Sequence, residues 1–165
     1  LELKKIINLL ESSIQNPSQG LPEDLFLFIS RITPLINVDL LIKNEQNYTL
    51  LTWRDDRYYP PGWHIPGGII RFKETIADRI KAVAKNELGA KVKFKNTPLA
   101  INEGFNDTRK SRGHFISLLY QCDLITQPNN DLRCNGNSPK QNEWMWHNTC
   151  PADIIAVHEM YRKFF

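Results

Sequence analysis

An α/β fold, a mixed β-sheet covered by helices, is what the sequence predicts. Three observations lead there. Amphipathic helical stretches and β-rich stretches alternate irregularly along 165 residues, with no internal repeat and no interdomain linker. Apolar residues make up 41% and charged residues 24%, a globular composition of one-domain length. Finally, a loop rich in proline and glycine at residues 59–68 leads into an amphipathic helix.

The elements follow in order. Leu3, Ile6, Ile7, Leu10 and Ile14 recur at helical spacing, and residues 16–20 (NPSQG) are turn chemistry that stops that helix. Pro22 with Glu23 and Asp24 suits a first turn, so a second helix is expected over residues 22–30. The apolar run 35–42 around Asp39, a turn at 44–47 and the β-rich 48–53 read as a hairpin. Residues 59–68 (YPPGWHIPGG) form a shaped loop with a brief strand at 63–65. A helix over 74–88 has Ile76, Ile80, Val83 and Ala84 on one face and Gly89 as its C-terminal cap. Strands are expected at 92–101 and 114–122, a polar surface loop at 127–141 and a last strand at 143–147. Pro151 opens a final helix with Ile154, Ile155, Val157, Met160 and Tyr161. This divides the chain into a helical extension, 1–20, and one domain, 21–165.

Composition narrows the function. A net charge of +3 is too little to make nucleic acid the default partner. The longest apolar run, residues 25–29, is far below bilayer-spanning length, so no membrane partner is expected. Charged residues interrupt the N-terminal apolar positions, so no signal peptide is read. Cys122, Cys134 and Cys150 form no C-x-x-C pair; free thiols in a reducing cytoplasm are the expectation.

Residues 67–90, GGIIRFKETIADRIKAVAKNELGA, carry the chemistry. They resemble the Nudix hydrolase box, G-x5-E-x7-R-E-U-x-E-E-x-G-U with U aliphatic. Gly68, Glu74, Glu87 and Gly89 match it, while Ala82 stands for the arginine and Val83 and Asn86 for two glutamates. The preceding Trp63–Gly68 stretch, WHIPGG, resembles the family's W-x-x-P-G-G entry. Further landmarks are similar to the GDP-mannose mannosyl hydrolase branch: Thr33-Pro34-Leu35 with Asp39, Leu50-Leu51 with Arg54, the strand from His114 to Leu118, and His158, Arg162, Phe164 and Phe165 near the C-terminus. The likeness spans residues 22–165.

The resemblance implies an α/β/α sandwich with the Nudix fold. It also implies Mg²⁺, or Mn²⁺, as cofactor and a nucleotide sugar such as GDP-mannose as substrate. Nucleoside diphosphates carry charge that a divalent cation neutralises. Glu87 is then the metal carboxylate, with the Gly67 carbonyl and a glutamine from the late loop as further ligands. Gln141 is the candidate glutamine, although a gapless match places Lys140 there. The branch's base histidine follows that glutamine, where this chain has Asn142, which cannot take a proton near neutral pH. Glu143 and His114 are candidate substitutes, His114 more simply as a hydrogen-bonded strand residue. Arg54, Arg71, Asp39 and Arg109 are the candidate substrate contacts, Arg54 and Asp39 with catalytic roles. Asp39 in an apolar strand needs a partner, either substrate, Arg54 or a plain salt bridge. Arg109, Lys110 and Arg112 form a loop that steers an anion or is simply solvated.

Two functions of different class remain open: a Mg²⁺-dependent hydrolase of a nucleoside-diphosphate sugar, and a catalytically impaired domain that binds a nucleotide as a regulator. A third, an RNA-end hydrolase, lacks the full carboxylate set and a continuous basic face. The first helix is expected to pack its apolar face on the domain or on a second copy, the branch being dimeric. Glu74, whose box partner is replaced by Ala82, is left with favourable charge at the helix N-terminus.

Overall fold

Strand β1 (Leu35–Ile42) occupies the centre of the molecule because both of its hydrogen-bonding edges are taken. It pairs parallel with β7 (His114–Leu124) and antiparallel with β4 (Gly67–Ile69). These relationships come from a computed structural model, which describes residues 2–136 and 138–165. Leu1 of the expected extension and Asn137 of the expected 127–141 loop lie outside the described residues.

The other edge of β7 carries β5 (Val92–Phe94) and β6 (Ala100–Phe105), both antiparallel, completing a five-stranded mixed sheet. A second sheet has β2 (Thr49–Arg54) between β3 (Gly62–His64) and β8 (Trp144–His147). Two expectations are corrected here. The 35–53 segment is no regular hairpin: beyond one bridge between Lys43 and Thr49, β2 leaves β1 for the second sheet. The expected strand at 92–101 is two strands, interrupted at residues 95–99, where Pro98 removes a ladder donor.

Neighbouring residues of the same strands feed two apolar layers. Val38, Leu40, Ile42, Leu50 and Tyr120 pack with Ile80, Val83, Ala84 and Leu88 of α3 (Ile76–Leu88). Leu41, Leu51 and Leu119 pack with Trp63, Ile65 and Tyr161. Tyr161 belongs to a terminal 3₁₀ helix, Ala156–Phe164, that begins later than the helix expected from Pro151. Helices therefore cover both layers, and the α/β/α sandwich expected from the sequence is the fold. Trp144 and Trp146 both join the α3 layer.

Helix α3 starts where the Thr75 hydroxyl accepts from the Asp78 N–H at 3.1 Å and ends at Gly89 in the left-handed region. Helix α2 (Glu23–Ile29) begins after Pro22 as its sequence suggests. Helix α1 (Leu3–Ser12) buries no residue, and Leu3, Ile6, Ile7 and Leu10 are all exposed. The expectation that this stripe packs on the domain is not met. The sheet layers already have their covers in α3 and the terminal 3₁₀ helix.

Candidate active site

The loop between β3 and β4 brings two glycines against α3 and β1. A Cβ on Gly67 would collide with the Asp39 carboxylate, and one on Gly68 would come within 2.9 Å of Val83 Cγ2. That closeness explains the Pro-Gly-Gly step and sets the last turn of α3 beside β4. The result is a cleft of about 300 Å³ whose walls include Asp39, Arg54, His64, Gly67, Glu87, Arg112 and Gln141.

Glu87 sits at a helix C-terminus, where the macrodipole opposes negative charge. Donors offset this. The Gly67 N–H donates to Glu87 Oε1 and the Thr52 hydroxyl to Oε2, each at 3.1 Å. His64 Nε2 lies 3.4 Å from Oε2. His64 Nδ1 is 2.9 Å from the Thr52 carbonyl oxygen, which can only accept, so Nδ1 carries a proton. A second proton on Nε2 would make His64 and Glu87 an ion pair.

Asp39 is 2% exposed and has neutral partners. The Asn37 amide donates to its Oδ2 at 2.9 Å, and the Tyr161 hydroxyl donates to the same oxygen. Oδ1 faces Gly67. Burial is the largest influence on this carboxyl and pushes its pKa up to about 7, against the opposing hydrogen bond from Tyr161. Arg54 is not its partner. Arg54 pairs with Asp56, and its guanidinium lies 4.9 Å from the centre of the Tyr59 ring. Gln141 accepts from the Asp55 N–H through its oxygen and donates to Asn142 Oδ1 at 2.9 Å.

The structure thus brings together Asp39, Arg54, Gly67, Glu87 and Gln141 of the residues singled out from sequence. Arg112, Asn142 and His158 line the same cleft, while other residues singled out from sequence lie elsewhere. Arg71 lies in a separate hollow with Pro17, Gly20 and Phe72. Arg109 lines an adjoining hollow, 4.5 Å from the Tyr59 ring centre. The Glu143 carboxylate accepts the Lys140 N–H at 3.0 Å, closing the turn before β8, and is absent from the cleft wall. Lys140, the alternative to Gln141, is absent from it too. His114 Nε2 donates to Glu103 Oε1 at 2.9 Å, as a strand residue with a satisfied bond.

Sequence reasoning gave His64 no role and His158 only that of a landmark of the resemblance. His64 follows buried Trp63 on β3, and strand alternation alone turns it to the opposite side. His158 is buried, and its Nδ1 accepts the Ile65 N–H at 3.0 Å. Its pKa lies well below the ordinary histidine value, through burial first and then the charges of His64 and Arg54. Glu74 also differs from expectation. It forms a paired salt bridge with Arg79, two contacts of 2.8 Å, with Arg79 only 6% exposed.

Comparison with known proteins adds a relative. No family model matches the chain. The low-salt glycan biosynthesis protein Agl8 of Haloferax volcanii is 31% identical over 112 residues, spanning 66% of this chain and 70% of that protein. The chain belongs to the Agl8 family. Solved structures supply the fold. A possible asymmetric diadenosine tetraphosphate hydrolase from Jonesia denitrificans superposes with a TM-score of 0.62 at 20% identity, covering 81% of this chain and 92% of that one. A MutT Nudix hydrolase from Burkholderia pseudomallei gives 0.61 at 15% identity, covering 79% and 97%. This Agl8-family chain therefore has the fold of the Nudix hydrolases.

Nudix hydrolases generally use divalent metals such as Mg²⁺, and the donors of this cleft bear on such a cation. The Asp39/Gly67 pair falls between hydrogen-bonded pairs of the β1–β4 ladder, since Leu40 N–H donates to the Pro66 carbonyl and Ile70 N–H to that of Ile36. The Gly67 N–H and carbonyl therefore both face the open edge of β4, where Glu87 lies. Among the described residues no group of three or more His, Cys, Asp or Glu could hold a metal ion. One carboxylate, an edge carbonyl and an amide oxygen are hard oxygen donors. They fit a cation that takes its remaining ligands from phosphate and water.

Proposed function

We propose that the chain is a divalent-metal-dependent hydrolase of a nucleoside-diphosphate sugar or a related pyrophosphate-linked compound. The observation that carries this is the single cleft that collects the Glu87 and Asp39 carboxyl groups with the Arg54 and Arg112 guanidinium groups. Guanidinium groups recognise phosphate, and carboxylates hold a hard cation or take a proton. The glycan biosynthesis named for the Haloferax volcanii relative agrees in kind, because nucleoside-diphosphate sugars are activated sugar donors.

In this reading Glu87, with Gly67 and Gln141, holds Mg²⁺, which when bound neutralises charge on the departing diphosphate. Arg54 contacts phosphate. Water attacks the anomeric carbon of the sugar, the bond from that carbon to the phosphate oxygen breaks, and the nucleoside diphosphate departs. Asp39 Oδ1, the oxygen not engaged by Asn37 and Tyr161, receives the proton of the attacking water. Attack at phosphorus is the alternative.

A panel of nucleotide sugars with Mg²⁺ and Mn²⁺ in ¹⁸O-water tests this. Label in the sugar supports attack at carbon, and label in a phosphate moves attack to phosphorus. A second reading, a regulatory nucleotide-binding domain, is favoured by Ala82, Val83 and Asn86 in the box and by Asn142 after Gln141. Tight nucleotide binding with no product from the whole panel selects it.

A further inference from the structure

Arg112 stands where the cleft meets a second hollow. That hollow has a volume of about 430 Å³ and shares Tyr59, Arg112, Phe115 and Val157 with the cleft. Tyr58, Phe105 and Met160 give the rest of its wall aromatic and apolar surface, beside the polar side chains of Glu103, Asn106 and Arg109.

Among the described residues Arg112 has no carboxylate of its own: Asp56, whose charge acts on it, is paired with Arg54. Arg54, Arg57, Arg79 and Arg162 each meet a carboxylate. Arg112 forms no salt bridge among the described residues, and its buried Nε has no hydrogen-bond partner there. Its guanidinium instead lies against aromatic rings, 4.0 Å from the centre of Tyr58 and 5.6 Å from that of Phe26. A cation withdrawn from water without a partner is unfavourable. Burial and then the neighbouring Arg54 charge lower its pKa.

The backbone holds it there at a cost. Arg112 has φ of +54°, a left-handed conformation unfavourable for a side-chain-bearing residue. The Ser30 hydroxyl accepts its N–H at 3.2 Å, and the Asn106 N–H donates to the Gly113 carbonyl at 2.7 Å to close the loop.

We infer that Arg112 anchors the diphosphate of a bound nucleotide at the boundary between the two hollows. The nucleoside end lies in the aromatic hollow, and the sugar end lies in the cleft beside Glu87 and Asp39. An anion at that boundary relieves both the desolvation of Arg112 and its repulsion with Arg54. A planar guanidinium suits two phosphate oxygens at once, and the aromatic wall suits a base. The inference rests on the nucleoside-diphosphate-sugar reading above.

Calorimetric titration of the full chain with inorganic pyrophosphate and with GDP tests it. Arg112→Gln should weaken both by at least tenfold. Arg112→Lys, which keeps the charge and loses the fork, should weaken pyrophosphate at least threefold with an unchanged melting temperature, and it decides the matter if the Gln variant does not fold. Phe105→Ala, at a ring 69% exposed, should weaken GDP and leave pyrophosphate within twofold. Parent-like pyrophosphate binding by the folded Arg112 variants, or none by the parent, overturns the anchor. Unchanged GDP binding by Phe105→Ala overturns the placement of the nucleoside. Arg112-dependent pyrophosphate binding without turnover of any nucleotide sugar instead overturns the hydrolase reading and leaves the anchor standing.

Discussion

The Tyr161 hydroxyl donates a hydrogen bond to Asp39 across 122 residues of chain. It ties the terminal 3₁₀ helix to the central strand directly beneath the cleft. Tyr161 is fully buried, so the loss of this bond cannot be made good by water. Tyr161→Phe keeps the ring and removes the donor. It should lower stability by about 1–3 kcal/mol, read as a reduced urea midpoint with an unchanged slope. A parent-like midpoint would refute the role assigned to the bond.

Glu74→Gln should be costly, unlike a change to a solvated helix-end acid. It leaves the Arg79 guanidinium buried with its paired acceptor neutralised. Breaking one side of such a buried pair costs about 3 kcal/mol or more. Chemical unfolding of Glu74→Gln checks this, and a loss below about 1 kcal/mol would return Glu74 to a helix-dipole role.

Glu87→Gln retains one oxygen to accept the Gly67 N–H or the Thr52 hydroxyl, so the fold should survive within about 1 kcal/mol. The charge that attracts a hard cation is gone, however. Mg²⁺ titration should show binding by the parent and none by the variant, together with loss of metal-dependent turnover. Equal Mg²⁺ binding by both would move the metal away from Glu87.

Acid should destabilise the chain through His158. Its Nδ1 must stay unprotonated to accept the Ile65 N–H, and its folded pKa is depressed. Below pH about 6.5 the unfolded chain takes up this proton while the folded chain does not, so stability falls as pH falls through that window. Above it the contribution is complete. His158→Gln should flatten the dependence of the urea midpoint between pH 7.5 and 5. The same slope in parent and variant would assign acid sensitivity to other groups.

The order and type of most elements were legible because local chemistry declares them: Pro22 before α2, Thr75 and Gly89 at the ends of α3, and the Pro-Gly-Gly step before β4. What escaped was decided by partners distant in sequence. Tyr48 to Trp53 reads as half of a hairpin until β2 is seen to leave β1 for β3 and β8 of the second sheet. Arg79 breaks no visible pattern on α3, since only the folded-back Glu74 makes its burial tolerable. In the site, Glu87 and Gly67 stood out through their motif, whereas His64 sat in a brief strand with no role attached and Arg112 in a basic loop read as steering an anion or simply solvated. Their positions depend on Thr52 and Ser30. No local pattern records those contacts.

The parallel union of β1 with β7 has a consequence for the order of assembly. Leu35 meets Phe115, so 80 residues must emerge from the ribosome before the central ladder can begin. Until then β1 exposes an apolar run with one unpaired edge. Pairings this distant close slowly because the chain between them must first be gathered in. The Asn37–Ser117 hydrogen bond and the Asp39–Tyr161 bond can form only after that gathering. The floor of the cleft is therefore among the last parts to become ordered during synthesis, and a nascent chain stalled before His114 has no ligand site to offer.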